Sequence, residues 1–238
     1  TSPRLPDTIT NMYNAFNGCT NLITVEKIPS DVTNMQGALK DCTSLTTVKD
    51  LPESVENMSW TFQNCIKLTS VSEIPNKVTN MSGTFYGCTS LEIAPKIHNS
   101  VTNMQSTFYN CTNLKTVGNI PNSLTDMDST FYNCTNLISI GNIPNSVTKM
   151  YNSFFNCTNL TTVGTIPNSV VDMRNTFNGC TNLQGELVIN ANLTGTIVDE
   201  ANNIKDYHGM LYNACKVDGI ALKISGTSYS SPTSLPST

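Results

Sequence analysis

The chain has 238 residues, with 13 Lys and Arg against 17 Asp and Glu, a formal net charge of −4, 38% hydrophobic residues and only 13% charged ones. That apolar share is enough for one or two packed cores. The lack of a Lys/Arg cluster excludes the electrostatic footprint of a nucleic-acid binder, and no run approaches the roughly 18 apolar residues that a membrane-spanning helix needs. Asn, Thr and Ser supply the polarity instead, so the expected surface is neutral and dense in hydrogen-bonding groups. No basic, apolar, small-residue leader precedes the first repeat, so an export signal is expected to be absent or already cleaved.

From the N-terminus onward the sequence repeats every 23 residues. Cysteines fall at Cys19, Cys42, Cys65, Cys88, Cys111, Cys134, Cys157 and Cys180, and methionines at Met12, Met35, Met58, Met81, Met104, Met127, Met150 and Met173, with no insertion in either series. The full apolar pattern is seen in Cys111, Leu114, Val117, Ile120, Pro121, Leu124, Met127, Phe131 and Cys134. The apolar side chains of one unit do not offset the entropy of ordering its backbone. Each copy must therefore share core and hydrogen bonds with its neighbours, which makes the chain a solenoid. Eight coils stacked at the inter-strand spacing give a body on the order of 40 Å long.

Within a coil, Leu114 to Ile120 carries Leu, Thr, Val and Ile and ends at Pro121, which predicts a short parallel strand. Val101 to Met104 is a candidate for a second pairing segment. The apolar steps from Val147 through Met150 and Phe154 to Cys157 are 3, 4 and 3, which predicts a short helix or 3₁₀ turn over Met150 to Cys157, with Asn145 and Ser146 as capping residues. The coil at Leu91 to His98 departs most from the pattern: Ala94 replaces Val, Pro95 falls inside the strand and His98 replaces Pro. A tolerated bulge is expected there, or a local contact point at His98. After Leu183 the period is lost. Residues 185–190 and 194–198 read as strands, 199–215 as a helix from Ile204, Tyr207, Leu211 and Cys215, and 219–225 as a closing strand. The expected organisation is eight repeats over 1–183, a degenerate repeat forming an α/β cap over 184–227, and a Ser/Thr/Pro-rich linker over 228–238, as in a fragment of something longer.

The string I-P-x-S-V-T-N-M-x-x-T-F-x-x-C-T-N-L resembles the BspA-like leucine-rich repeats, also 23 residues long, with Met where that family more often has Ile and Thr-Phe where it often has Ala-Phe. The resemblance covers residues 5–183. It implies a right-handed leucine-rich-repeat solenoid and a non-catalytic role at a cell surface or outside the cell, since such proteins are typically adhesins.

Nine cysteines invite a disulfide or metal reading, but no C-x-x-C occurs and equivalent residues on stacked coils point in parallel, which is poor disulfide geometry. Buried free thiols are expected, with no metal site and no cofactor. Only His98 and His208 exist as imidazole bases, and neither sits in a catalytic motif, so no enzyme is expected. The candidate binding residues are aromatic. Tyr86, Tyr109, Tyr132 and Phe155 follow the core Phe in four successive coils, where flanking coils carry Asn17, Lys40, Gln63 and Asn178. They read either as a platform for a protein or glycan or as a self-shielding stack, and Trp60, with Tyr13 and Tyr151 near the equivalent turn, extends the hint. The strand-face positions run from Glu26-Lys27, Lys49-Asp50 and Ser72-Glu73 to Gly118-Asn119, Gly141-Asn142 and Gly164-Thr165, so one half is charged and the other neutral. The expected function is a monomeric, adhesin-like module binding a protein or glycan without inserting into a membrane. The alternative is a structural spacer.

Overall fold

A computed structural model of the chain describes residues 2–190, 220–224 and 227–229. Its eight 23-residue coils stack so that each equivalent position forms a column. Core columns of Met, Phe, Cys and Leu are buried along the array, from Met12 and Phe16 to Phe177, Cys180 and Leu183. Core Phe rings from Phe62 to Phe177 stack at 5.4–5.6 Å between centroids.

Two ladders join the coils. The first runs through the segment proposed as a second pairing site. Parallel bridges link Asn11, Asn34, Asn57, Asn80, Asn103, Asp126, Lys149 and Asp172 without a gap. In this column a side-chain oxygen commonly accepts the N–H two residues on, as Asn80 Oδ1 does from Ser82 at 2.9 Å, fixing the turn that follows.

That turn is where the structure differs from the helix expected over Met150 to Cys157: no helix occurs among the described residues. Alternate N–H groups leave the coil. Met12, Asn14, Phe16 and Gly18 donate to the carbonyls of Asn34, Gln36, Ala38 and Lys40 on the next coil at 2.8–3.0 Å, while Ala15, Asn17 and Cys19 donate back to Met12, Asn14 and Phe16 at 3.0–3.2 Å. The third residue of two successive turns in each coil has a positive φ, the mark of type II turns. One such column is Gly, Asn or Asp throughout: Gly18, Asp41, Asn64, Gly87, Asn110, Asn133, Asn156 and Gly179. These residues tolerate the left-handed region, which no helix contains. Apolar steps of 3, 4 and 3 thus arise from consecutive turns as readily as from one helical face.

Buried hydroxyls complete the turn flank. Thr130 Oγ1 donates to the Met104 and Met127 carbonyls at 2.9 and 2.7 Å, and Thr61, Thr84 and Thr176 do the same in their coils. Buried polar atoms cost stability unless bonded, and this column is bonded.

The second ladder is short and interrupted. β1 (Thr47–Val48) pairs in parallel with β2 (Ser70–Val71), and β3 (Ser139–Ile140) with β4 (Thr162–Val163). The predicted strand from Leu114 to Ile120 is reduced to a bridge between Ile93 and Thr116. Pairing is missing at two steps, from Ser70 to Ile93 and from Thr116 to Ser139. Ser72 and Gly164 donate N–H groups to Val48 and Ile140 at 3.2 and 3.0 Å; in the same column Pro95 has none to give at the first gap, while Gly141 has one and makes no such bond at the second. His98 keeps the backbone role of the proline it replaces, its carbonyl accepting from Val101 at 3.2 Å as Pro75 does from Val78 at 3.1 Å.

Beyond the repeats, β5 (Gly185–Ile189) pairs in parallel with β6 (Ile220–Ile224), which pairs antiparallel with β7 (Thr227–Tyr229). β5 and β6 match two of the expected strands, and β7 takes in the first residues of the segment read as a linker. The expected strand over 194–198 and helix over 199–215 lie outside the described residues, as does most of the 228–238 tail.

Candidate interaction surface

Because each core Phe is fixed in register, the next residue emerges at the same coil edge every time. Tyr86, Tyr109, Tyr132 and Phe155 form one column with ring centroids 4.5, 4.3 and 4.7 Å apart and planes within 6°. Trp60 belongs to a different sequence column, yet the fold brings it to the end of this one, 5.9 Å from Tyr86 and tilted by 49°. Its backbone is left-handed, with φ of 58°, which a bulky side chain adopts only under constraint. The indole lies over Gly83, where any Cβ would collide with it. All five candidate residues therefore form one half-buried strip. Tyr13 and Tyr151 stand apart from it: Tyr13 is exposed, and Arg174 covers the Tyr151 ring at 5.1 Å.

Stacking decides what this strip offers. The ring faces are turned onto one another, so ring edges and the tyrosine hydroxyls are left for a partner. Burial, then the neighbouring Tyr132 and Tyr86 phenols, push the Tyr109 hydroxyl up to about 12. The Tyr109 phenol thus stays a neutral hydrogen-bonding group throughout the physiological range.

Ion pairs line the strand flank. Lys27 pairs with Asp7 at 3.0 Å and Lys115 with Glu92 at 2.7 Å, while Glu73 receives both Lys96 and His98. The hydrogen bond from Lys96 does most to hold the Glu73 carboxyl below its usual range. Exposed pairs of this kind contribute little stability. His98 is thus bound into an ion cluster on the one coil that breaks the pattern.

The cysteines form no disulfide among the described residues, and no group of three metal-ligating side chains occurs there. Cys42 through Cys180 are buried, and each thiol lies 3.0–3.2 Å from a core carbonyl 26 residues earlier, as Cys111 does from Phe85. Burial pushes the Cys42 thiol up to about 11 and Cys88, Cys134 and Cys157 well above the ordinary value. Such thiols are poor nucleophiles. Cys19, on the first coil, is exposed. His208 and Cys215 lie outside the described residues.

Stacked 23-residue coils with a short strand, a proline-closed turn and a continuous apolar ladder define a leucine-rich-repeat solenoid. The family described as a BspA type leucine rich repeat region (6 copies) matches residues 1–114 and 83–201, and the chain belongs to that family. Among solved structures, a leucine-rich repeat protein from Bacteroides ovatus ATCC 8483 is similar at 24% identity and a TM-score of 0.60, over 76% of this chain and 55% of that one. This chain thus spans about half the length of that protein. A T. pallidum leucine rich repeat protein is similar at 25% identity and a TM-score of 0.52, over 75% of this chain and 76% of that one. No curated protein matches the chain.

Proposed function

We propose that the chain is a non-enzymatic interaction module of a surface or secreted protein, and that the strip from Trp60 to Phe155 is its contact edge for a protein partner. One observation carries this reading. The same column holds Asn17, Lys40, Gln63 and Asn178 in other coils of the same fold, so the repeat does not require four aromatics in succession. Aromatic side chains dominate protein contact energies, and a row of ring edges with hydroxyls suits a protein surface. A surface location follows the resemblance to the BspA-like adhesins.

The test is binding of the purified chain to a panel of extracellular-matrix proteins and adherence to host cells, with a triple variant Tyr86→Ser, Tyr109→Ser, Tyr132→Ser. A bound panel member should be lost in the variant while the fold stays intact. Unchanged binding and adherence by a folded triple variant would contradict the contact edge. No binding by the parent chain would favour a spacer that holds another domain at a distance.

A further inference from the structure

The strand flank changes character along the array in a way the core does not demand. Between the first two coils it holds a hollow of about 220 Å³ lined by Glu26, Lys27, Lys49 and Asp50 among others. Over coils five to eight it opens into a groove of about 610 Å³ whose polar lining is Asn122, Asn142, Asn145, Thr165, Asn168 and Asn190, with Pro144 and Pro167 as apolar patches. No ionisable side chain lines this groove. Its volume lies in the range of small-ligand sites.

Two features make it more than a gap. Gly118 and Gly141, beside Asn119 and Asn142, have ordinary backbone angles, and a Cβ on either would meet nothing within 4 Å. Neither glycine is explained by turn geometry or close packing, and Glu26 and Lys49 occupy the same column in the first two coils. Asn142, in contrast, is held in place. Its Oδ1 accepts the Thr165 N–H at 3.1 Å, and it lies so close to Gly164 that a Cβ there would come within 2.5 Å of its backbone nitrogen and its Oδ1. The Asn142 amide NH₂ is left as an oriented donor, and Asn145 and Asn168 add exposed amides beside it.

From this arrangement we infer that the groove is a binding site for a neutral glycan chain. Fixed and exposed amides supply both donors and acceptors for sugar hydroxyls, and the proline rings supply apolar contact for the C–H faces of a sugar ring. A lining without charge gives no purchase to an anionic polymer. It also lacks the aromatic or Arg anchor that a protein contact relies on. The site is separate from the aromatic strip, so the two readings stand or fall independently.

The experiment is titration calorimetry of the whole chain with neutral glucan, mannan and galactan oligosaccharides of six or more sugar units, and with a sulfated oligosaccharide as the anionic control. Binding to at least one neutral oligosaccharide is expected, insensitive to salt, with none to the sulfated one. Gly141→Lys and the double variant Asn142→Ala, Asn168→Ala should each weaken it about tenfold or more. Lys49 occupies the column of Gly141, and Lys27, Asp50 and Glu73 that of Asn142, so these variants are expected to fold, checked by circular dichroism. The triple tyrosine variant should bind the glycan like the parent. Absence of binding across the neutral panel, preference for the sulfated chain, or binding unchanged in the folded groove variants would each overturn the inference.

Discussion

The turn flank and the strand flank are built from the same 23-residue unit, yet one is continuous and the other broken. On the turn flank parallel bridges run unbroken from Asn11 to Asp172, backed by bonded hydroxyls, thiols facing carbonyls and stacked Phe rings. On the strand flank the ladder is broken at Pro95 and again between Thr116 and Ser139, ion pairs hold the earlier coils and an amide-lined groove opens in the late ones. The two flanks divide the labour: the turns hold the coils in register, and the strand face is thereby free to vary.

The largest break should come from Phe108→Ala, which removes a fully buried ring between Phe85 and Phe131. A loss of about 3–5 kcal/mol is expected in denaturant unfolding. Thr130→Val keeps the shape but takes from the Met104 carbonyl its hydroxyl donor and from the Met127 carbonyl one of two, the Ser153 hydroxyl remaining at 2.8 Å. About 1–3 kcal/mol should be lost, read in the same way. The counterpart on the strand flank is a repair. Pro95→Ser restores the N–H that Ser72 supplies one coil earlier, and should raise stability by about 0.5–1.5 kcal/mol. A loss on this substitution would mean that the break is held by something other than the missing donor.

The smallest effect concerns charge on the turn flank. Burial, then the nearby Asp126 carboxylate, push the Asp128 carboxyl up to about 6, although its Oδ1 accepts the Tyr151 N–H at 2.9 Å. A carboxyl with a raised folded-state pKa favours folding at acid pH, and this stabilisation fades as pH climbs from about 4 through about 6. Asp128→Asn keeps the oxygen acceptor and removes the titration. The variant should be more stable than the parent at pH 7 by about 1 kcal/mol, the shift being discounted for solvent screening, and the two should converge near pH 4.

Much of this division was legible in the residues. The unbroken Met and Cys series fixed the columns, the burial of Phe and Leu followed from them, and Val101 to Met104 was readable as a second pairing segment. Pro95 marked the damaged coil because a residue without an N–H cannot serve a ladder. The turn segment was misjudged because its apolar spacing has two sources, a helical face and a run of type II turns. The column Gly18, Asp41, Asn64, Gly87 to Gly179 carried the missing signal, since its Gly, Asn and Asp are the residues that accept a positive φ. The place of Trp60 beside Tyr86 was not legible, because it depends on a left-handed backbone at Trp60 and an indole lying on Gly83. The groove was legible only as a neutral surface: its depth depends on how adjacent coils are set against one another.

Residue-resolved hydrogen exchange on the folded chain tests the division of labour most directly. The amides of Phe62, Phe85 and Phe108, which donate to the next coil at 2.8–2.9 Å, should exchange at the slow rate of global unfolding. The amides of Glu92 and Ile93, beside the cut made by Pro95, should exchange orders of magnitude faster through local opening. Equal protection on the two flanks at coils three and four, or faster exchange on the turn flank, would contradict the assignment of stability to the turns and of freedom to the strand face.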